Sequence, residues 1–441
     1  MAYPFFAPPR RLIGAAFLMD FAVGVAGLGV TELGILLGAS PFVLGLMGTV
    51  GGTAYTLGCL CSGRLSDRYG RRRSVLAGCL LIISAWLVLS HSQTPWQIIC
   101  LVPVGSLGMA MFWPPLQAWL AELSGDSRRE LNRNLGLFNI LWCAGLMLGP
   151  IVCGHVWPWG RYWPFGVGIG GVGVILATAC LTPGPSPSGR GGKGDLTPRP
   201  LSGDLRSLSG EGEHGNGEVG EDDTAAHPLA GLYLKIAWAG NFSSWFASGV
   251  IKSLFPKLGD DLHFSTGLVG WLIAAIHLAQ LVIFWVTRHS DRWQYRLWPF
   301  FAAQGLAFGG MFLAYCTHQP WLFAVAFGTA GVCAGVTYVG SLFYSLHGNT
   351  DERGGKAGLH EAVLGSGILF GPLLGGLLAN AVDLRAPFLM VAGVYALATA
   401  TQVLIWRRGM ATAVPVVPVA NGGAVPAAEV LAPGAECEAG D

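Results

Sequence analysis

Twelve apolar stretches of about twenty residues, starting near residues 12, 41, 73, 96, 134, 162, 231, 264, 297, 320, 357 and 386, constrain this chain most. A helix rises about 1.5 Å per residue, so about twenty residues cross the hydrocarbon core of a bilayer. Each stretch is too long for a barrel strand of roughly ten residues and lacks period-two alternation, which selects helices. The expected fold is all-α and integral to a membrane. Composition agrees, because only 12% of the 441 residues are charged, against about 25% in a soluble domain. A formal charge of +1 supplies no basic field, so nucleic acid is not expected as a partner. Nine of the ten cysteines lie in apolar runs and no CxxC or His/Cys cluster occurs. They read as packing residues, and neither a metal nor a cofactor is expected. Pro8, Pro9, Arg10 and Arg11 imitate the start of a signal peptide. The run that follows continues for about 25 residues without a small-residue cleavage site, so it reads as a retained first span.

Lys and Arg set the expected orientation. With the N-terminus inside, the inner loops receive about 18 of them, including Arg10, Arg11, Arg68, Arg71, Arg128, Arg288, Arg353 and Arg407. The outer side receives Arg161, Lys252, Lys257 and Arg385. Both termini are therefore expected in the cytoplasm. Trp157, Trp159, Tyr162 and Trp163 on one side, and Trp293, Tyr295 and Trp298 on the other, are read as interfacial belts.

Residues 184–229, beginning near TPGPSPSGRGGKGD, are too rich in Gly, Ser, Pro and charge to bury a core, and read as a disordered cytoplasmic linker. LTPGP at Leu181 recurs as LTPRP at Leu196, which marks part of it as a duplicated low-complexity insertion. The linker divides an N-terminal six-helix bundle, 1–183, from a C-terminal one, 230–408, and residues 409–441 read as a disordered cytoplasmic tail. The halves repeat one another at four places in order. Ser40 and Gly45 match Ser265 and Gly270; GRLSDRYGRR from Gly63 matches TRHSDRWQYR from Thr287. Gly105 and Gly108 match Gly328 and Gly331, and GLFNILWCAGLMLGP from Gly136 matches GLHEAVLGSGILFGP from Gly358. Twelve transmembrane helices in two pseudo-symmetric six-helix bundles follow.

Between spans 2 and 3 stand Gly63, Arg64, Leu65, Ser66, Asp67, Arg68, Tyr69, Gly70, Arg71 and Arg72. A positive-inside anchor explains the arginines but neither Asp67 nor the glycines. The segment resembles the signature loop of the major facilitator superfamily, G-x-L-[SA]-D-[RK]-x-G-R-[RK], and the resemblance covers both six-span halves. It implies a membrane transporter rather than an enzyme, with halves that rock around a midplane site. It also implies a cytoplasmic gating latch, with Asp67 against the start of helix 11 and Arg68 and Arg71 completing it. The second copy keeps Ser290, Asp291 and Arg292 but has Gln294 where Gly70 stands.

Gly145, Gly149, Pro150 and Gly154 in span 5 resemble the family's antiporter-associated pattern, with Cys153 replacing one glycine. Span 11 repeats it as Gly367, Gly371, Pro372, Gly375 and Gly376. Exchange-driven export and symmetrical helix packing stand level as explanations.

Charge inside a span is expensive, so the few carboxylates inform. Asp20 lies within span 1, with Gly24, Gly27 and Thr31 on its face. The family architecture places helices 1, 4, 7 and 10 around the cavity, so Asp20 is the first choice as a proton- or cation-binding group. Its alternative is a helix-packing carboxylate. His360 and Glu361 enter span 11, with Asn139 of span 5 as the repeat partner of Glu361. They read either as a reversible protonation site or as part of the Asp67 latch. Glu122 reads as interfacial.

Trp113, Gln117, Trp238, Asn241, Trp245, Tyr338 and Tyr344 fill in a candidate cavity that suits an amphipathic or aromatic solute. His277 and Gln280 share one face of span 8 near the boundary between halves. No Lys or Arg is read inside a span, which speaks against phosphate, nitrate or sugar-phosphate cargo. Proton-coupled exporters of this superfamily usually carry an Arg within span 4, and Pro103 to Phe112 contains none. The expected protein is a monomeric secondary transporter of the cytoplasmic membrane, drawing on a proton gradient to export small hydrophobic or amphipathic solutes. Uptake of a neutral nutrient, or a transporter-like receptor or scaffold, are the alternatives.

Overall fold

A computed structural model describes residues 8–123, 128–181, 229–290, 292–346 and 353–413, with the short pairs 417–418 and 424–425. Twelve helices account for almost all of them: α1 Pro8–Leu36, α2 Pro41–Tyr69, α3 Arg71–Leu89, α4 Pro95–Leu123, α5 Arg128–Val156 and α6 Trp163–Leu181, then α7 Ala230–Asp261, α8 Thr266–Arg288, α9 Trp298–Cys316, α10 Pro320–Leu346, α11 Arg353–Ala381 and α12 Ala386–Ala413. α12 thus continues past Arg408. The 184–229 linker and most of the 409–441 tail lie outside the described residues.

The two copies begin their second helix in the same way. Ser40 Oγ accepts from the Val43 N–H at 3.4 Å, and its repeat partner Ser265 accepts from the Leu268 N–H at 3.2 Å. Each serine caps donors that the first helical turn leaves unpaired. Packing repeats too. In the first half α1 packs on α5 and α6, α3 on α4 and α6, and α2 on α4; in the second, α7 packs on α11 and α12, α9 on α10 and α12, and α8 on α10. The halves meet along two related seams, α2 with α11 and α5 with α8.

Large apolar side chains cover the outside. Leu57, Leu80, Trp271, Leu278, Trp285, Phe312 and Leu397 are all exposed, the inverse of a soluble surface and the arrangement lipid requires. Trp159, Tyr162, Trp163 and Trp298 are exposed as a belt needs, whereas Trp293 and Tyr295 turn inward against Phe343 and Tyr344.

Ten helices are long and apolar enough among the described residues to cross a bilayer, and the apolar part of α6 is shorter. α7 carries Asn241, Ser243, Ser244, Ser248 and Lys252 along 32 residues, a helix whose polar groups face protein rather than lipid. α4 contains Pro103, Pro114 and Pro115. Proline removes the N–H that would bond the carbonyl four residues earlier. The Met111 carbonyl freed by Pro115 accepts instead from Ser74 Oγ of α3 at 3.0 Å, so a neighbouring helix satisfies it.

Candidate functional site

A cavity lies between the bundles in two lobes of about 320 and 250 Å³ that share Met47, Gly48, Leu146 and Lys252 in their walls. The first is walled by Asp20 of α1, Tyr55 of α2, Trp113 and Gln117 of α4, Trp142 of α5, Trp245 and Lys252 of α7, Tyr338 of α10 and Glu361 of α11. The second is mostly apolar and adds Gly24, Gly27 and Thr31 of α1 with Trp86 and Ser253. The polar stripe of span 1 thus runs along the wall of both lobes, as the i, i+4, i+7 spacing requires.

Glu361 sits where α2 and α11 separate. Tyr55 donates its hydroxyl hydrogen to Glu361 Oε2 at 3.4 Å, and Gln117 approaches the same carboxylate. Asp20 is 6% exposed and, among the described residues, makes no ion pair within 4 Å. Of the two readings of Glu361, the latch is set aside: its carboxylate faces the cavity. His360, one residue earlier, turns away. Its Nδ1 lies 2.6 Å from Ser341 Oγ of α10, and its ring packs edge-on to Tyr338.

Lys252 corrects the sequence reading. It was placed in an outer loop, yet it stands nine residues before the end of α7 at Asp261 and borders both lobes. Hydropathy weakens after Ile251, but the helix does not end there, because backbone hydrogen bonds rather than apolarity set its terminus. The signal available was spacing: Trp245, Ser248 and Lys252 share one face.

Several expected cavity residues lie elsewhere. Tyr344 is buried at the basic end of the second half, where its hydroxyl accepts from the Tyr295 N–H at 2.8 Å. Tyr295 has φ 51° and stands in the turn after α8, while Tyr233 donates to its carbonyl at 2.5 Å. Two tyrosines thus hold a left-handed turn residue one position after Gln294, the repeat partner of Gly70. Asn241 and Trp238 face the interior of the second bundle rather than the cavity, and Asn139 accepts from Trp142 Nε1 at 3.1 Å. His277 and Gln280 are buried on α8 and joined at 3.0 Å; Cys143 Sγ of α5 donates to the His277 carbonyl at 3.3 Å, on the seam between halves.

The signature loop is the sharp turn from α2 to α3. Gly70 has φ 96° and ψ 141°, a backbone conformation that L side chains rarely adopt. Arg71 reaches Asp67 at 2.5 Å, Ser66 Oγ at 2.6 Å and Glu122 of α4 at 3.1 Å. Glu122 is thereby a partner of the loop rather than a bare interfacial residue. Arg68 lies over the Tyr69 ring, and a side chain at Gly63 would meet nothing within 4 Å. In the second copy Arg292 is exposed and donates its N–H to Ser290 Oγ at 3.4 Å; Asp291 lies outside the described residues.

Both glycine stripes are contact surfaces. A methyl group at Gly149 would stand 2.6 Å from Gly24 Cα, and one at Gly154 would stand 2.7 Å from Gly267 Cα. In the second half, Gly367 and Gly371 press on the backbone of Phe246, while Pro372 crosses the seam to Gly45 and Gly48. Close backbone approach accounts for both patterns alike, so the span 5 pattern carries no separate sign of exchange.

A twelve-helix membrane protein with two repeated bundles and a cavity on the axis between them has the architecture of a secondary transporter. The sequence matches the profile described as Major Facilitator Superfamily over residues 12–212 and 237–431, and the chain belongs to that family. It is 30% identical over 137 residues to an MFS-type transporter of Mycobacterium tuberculosis H37Rv, covering 31% of this chain and 29% of that one. Over 142 residues it is 29% identical to the inner membrane metabolite transport protein YgcS of Escherichia coli K12, 32% of each chain. With the enterobactin exporter EntS of Shigella flexneri it shares 24% over 277 residues, 62% of this chain and 60% of that one. The chain thus aligns with about three tenths of the first two of these relatives. In fold it is similar to a bacterial homologue of the human lysosomal transporter Spinster, with TM-score 0.68, 13% identity, and coverage of 92% of this chain and 98% of that one. The nucleoside transporter NupG gives 0.64 and 11%, covering 90% and 99%. These proteins are transporters, not enzymes.

Proposed function

We propose that the chain is a secondary active transporter that carries a small amphipathic solute through the central cavity by alternating access, coupled to protons at Asp20 and Glu361. The observation that carries this reading is the joint lining of one cavity by Asp20, Glu361 and the aromatic groups Trp113, Trp142, Trp245 and Tyr338. Aromatic walls suit an apolar body, and carboxylates in a span are the groups that take up and release protons. The inner-membrane location, the cytoplasmic termini and a monomeric state belong to the same proposal, and the distribution of Lys and Arg supports the placement of the termini.

At the end away from the arginine-rich loops, the halves are in contact. Gly48 of α2 meets Ser253 of α7, Gly376 of α11 meets Pro41 and Gly45 of α2, and Gly154 of α5 meets Gly267 of α8. Toward the basic end, no extensive packing joins α4 to α10 or α11 among the described residues. Both features support an inward-open conformer, with Asp67, Arg68 and Arg71 acting as a latch that engages in the opposite one.

Export is the proposed direction, in keeping with the likeness to an exporter. Uptake has one observation in its favour, Lys252, because a cation in the cavity suits a metabolite bearing an anionic group. Everted and right-side-out vesicles, given a panel of labelled solutes and an imposed proton gradient, separate the two. Accumulation in everted vesicles supports export, and accumulation only in right-side-out vesicles supports uptake. Binding without movement in either would make the protein a receptor.

A further inference from the structure

Lys252 is the cation that borders both lobes of the cavity, and in the second lobe it is the charged residue of an otherwise apolar and weakly polar wall. Among the described residues its ammonium has no hydrogen-bond partner and no ion-pair partner within 4 Å. The groups in electrostatic reach are Asp20 on α1, the Cys143 thiol on α5 and the His277 imidazole on α8. Tyr55, Tyr338 and Glu361 complete the titratable groups on the shared cavity wall. An ammonium held in an apolar enclosure is costly unless paired. Asp20, the carboxylate in reach, stops short of contact, so the direct pairing position at Lys252 Nζ is left open beside the apolar lobe.

We propose that the cavity binds an organic anion, a carboxylate on an aromatic or aliphatic body, with Lys252 as its anchor and Asp20 as an internal competitor. The apolar body occupies the second lobe, among Leu28, Leu44, Trp86 and Leu101, and the carboxylate pairs with Lys252. Two carboxylates then compete for one ammonium. Neutralising Asp20, by a proton or by substitution, releases Lys252 to the ligand, so protonation of Asp20 favours binding of the anion. This inference rests on the cavity being the solute site. It concerns equilibrium binding, which is read without a gradient and stands apart from whether, and in which direction, the protein transports.

The test uses the purified full chain in detergent, with thermal unfolding as the readout. The probes are a panel of aromatic and medium-chain aliphatic carboxylates, each paired with its own primary amide. At least one acid is expected to stabilise the wild type where its amide does not, and to bind more tightly as pH falls. Lys252→Gln should weaken that acid about tenfold or more, the loss of one charge-assisted contact, while Lys252→Arg retains it. Asp20→Asn should strengthen it several-fold and flatten the pH dependence. The unfolding of each variant without ligand reports folding separately. Equal stabilisation by acid and amide, unchanged affinity in a folded Lys252→Gln, weaker binding in Asp20→Asn, or no response to any acid in the wild type and Asp20→Asn would overturn the proposal. Acid binding without movement in vesicles would uphold it and place the failure in the transport reading.

Discussion

Tyr55 of α2 donates a hydrogen bond of 3.4 Å to Glu361 of α11, joining the two halves at the point where their glycine-lined seam gives way to the cavity. Thr56 beside it meets Gly365 on the seam itself. A change of charge on Glu361 is therefore felt by a contact that holds the halves together. Rocking one bundle against the other must break such contacts on one side and form them on the other.

Replacing Tyr55 with Phe removes the hydroxyl and keeps the ring. The contact is long for a hydrogen bond to a carboxylate, so about 0.5–1.5 kcal/mol rests on it, and the bound solute should be carried severalfold more slowly, with folding intact. Initial uptake rates in proteoliposomes, normalised to inserted protein, check this; an unaltered rate would remove the contact from the mechanism.

Gly149 and Gly27 lie on neighbouring helices with opposite surroundings. Gly149 abuts Gly24, whereas a methyl group at Gly27 would meet nothing within 4 Å. Gly149→Val should cost about 1–3 kcal/mol by overpacking, and Gly27→Ala should leave the melting temperature unchanged. Thermal unfolding in detergent distinguishes them, and equal effects would contradict the close approach of α1 and α5.

Arg71 bridges Asp67 and Glu122, which are 62% and 41% exposed. Exposed pairs contribute little to stability. Arg71→Ala is therefore expected to lower transport severalfold while thermal stability stays near that of the wild type. Equal loss of both would make the loop a structural brace instead of a latch.

Tyr344→Phe leaves the N–H of Tyr295 without its acceptor in a turn already at positive φ. A loss of about 1 kcal/mol is expected, with solute affinity unaltered because Tyr344 lies away from the cavity. A change in affinity instead would return Tyr344 to the site.

The helices were legible because a span in lipid must satisfy its own backbone and show an apolar face, which leaves little freedom in composition. The repeat was legible because Ser40 and Ser265 do one job twice. Trp113, Gln117, Trp245 and Tyr338, read as cavity groups, line one lobe together with Asp20 and Glu361, whose intramembrane charge singles them out in the sequence. Lys252 was missed because a long cationic side chain at the weakening end of an apolar run looks like a loop residue. Asn241, Trp238 and Tyr344 were placed in the cavity because polarity alone cannot tell a helix face turned to the axis from one turned into its own bundle. That distinction is made by packing partners far away in sequence, such as Tyr295 for Tyr344.

Proton movement driven by solute in proteoliposomes tests the central claim most directly, with a pH dye inside and a transported solute added outside. The wild type should show a solute-dependent pH change, and Asp20→Asn and Glu361→Gln should each abolish it while still binding solute. Full proton movement in both variants would contradict the assignment of coupling to these two carboxylates.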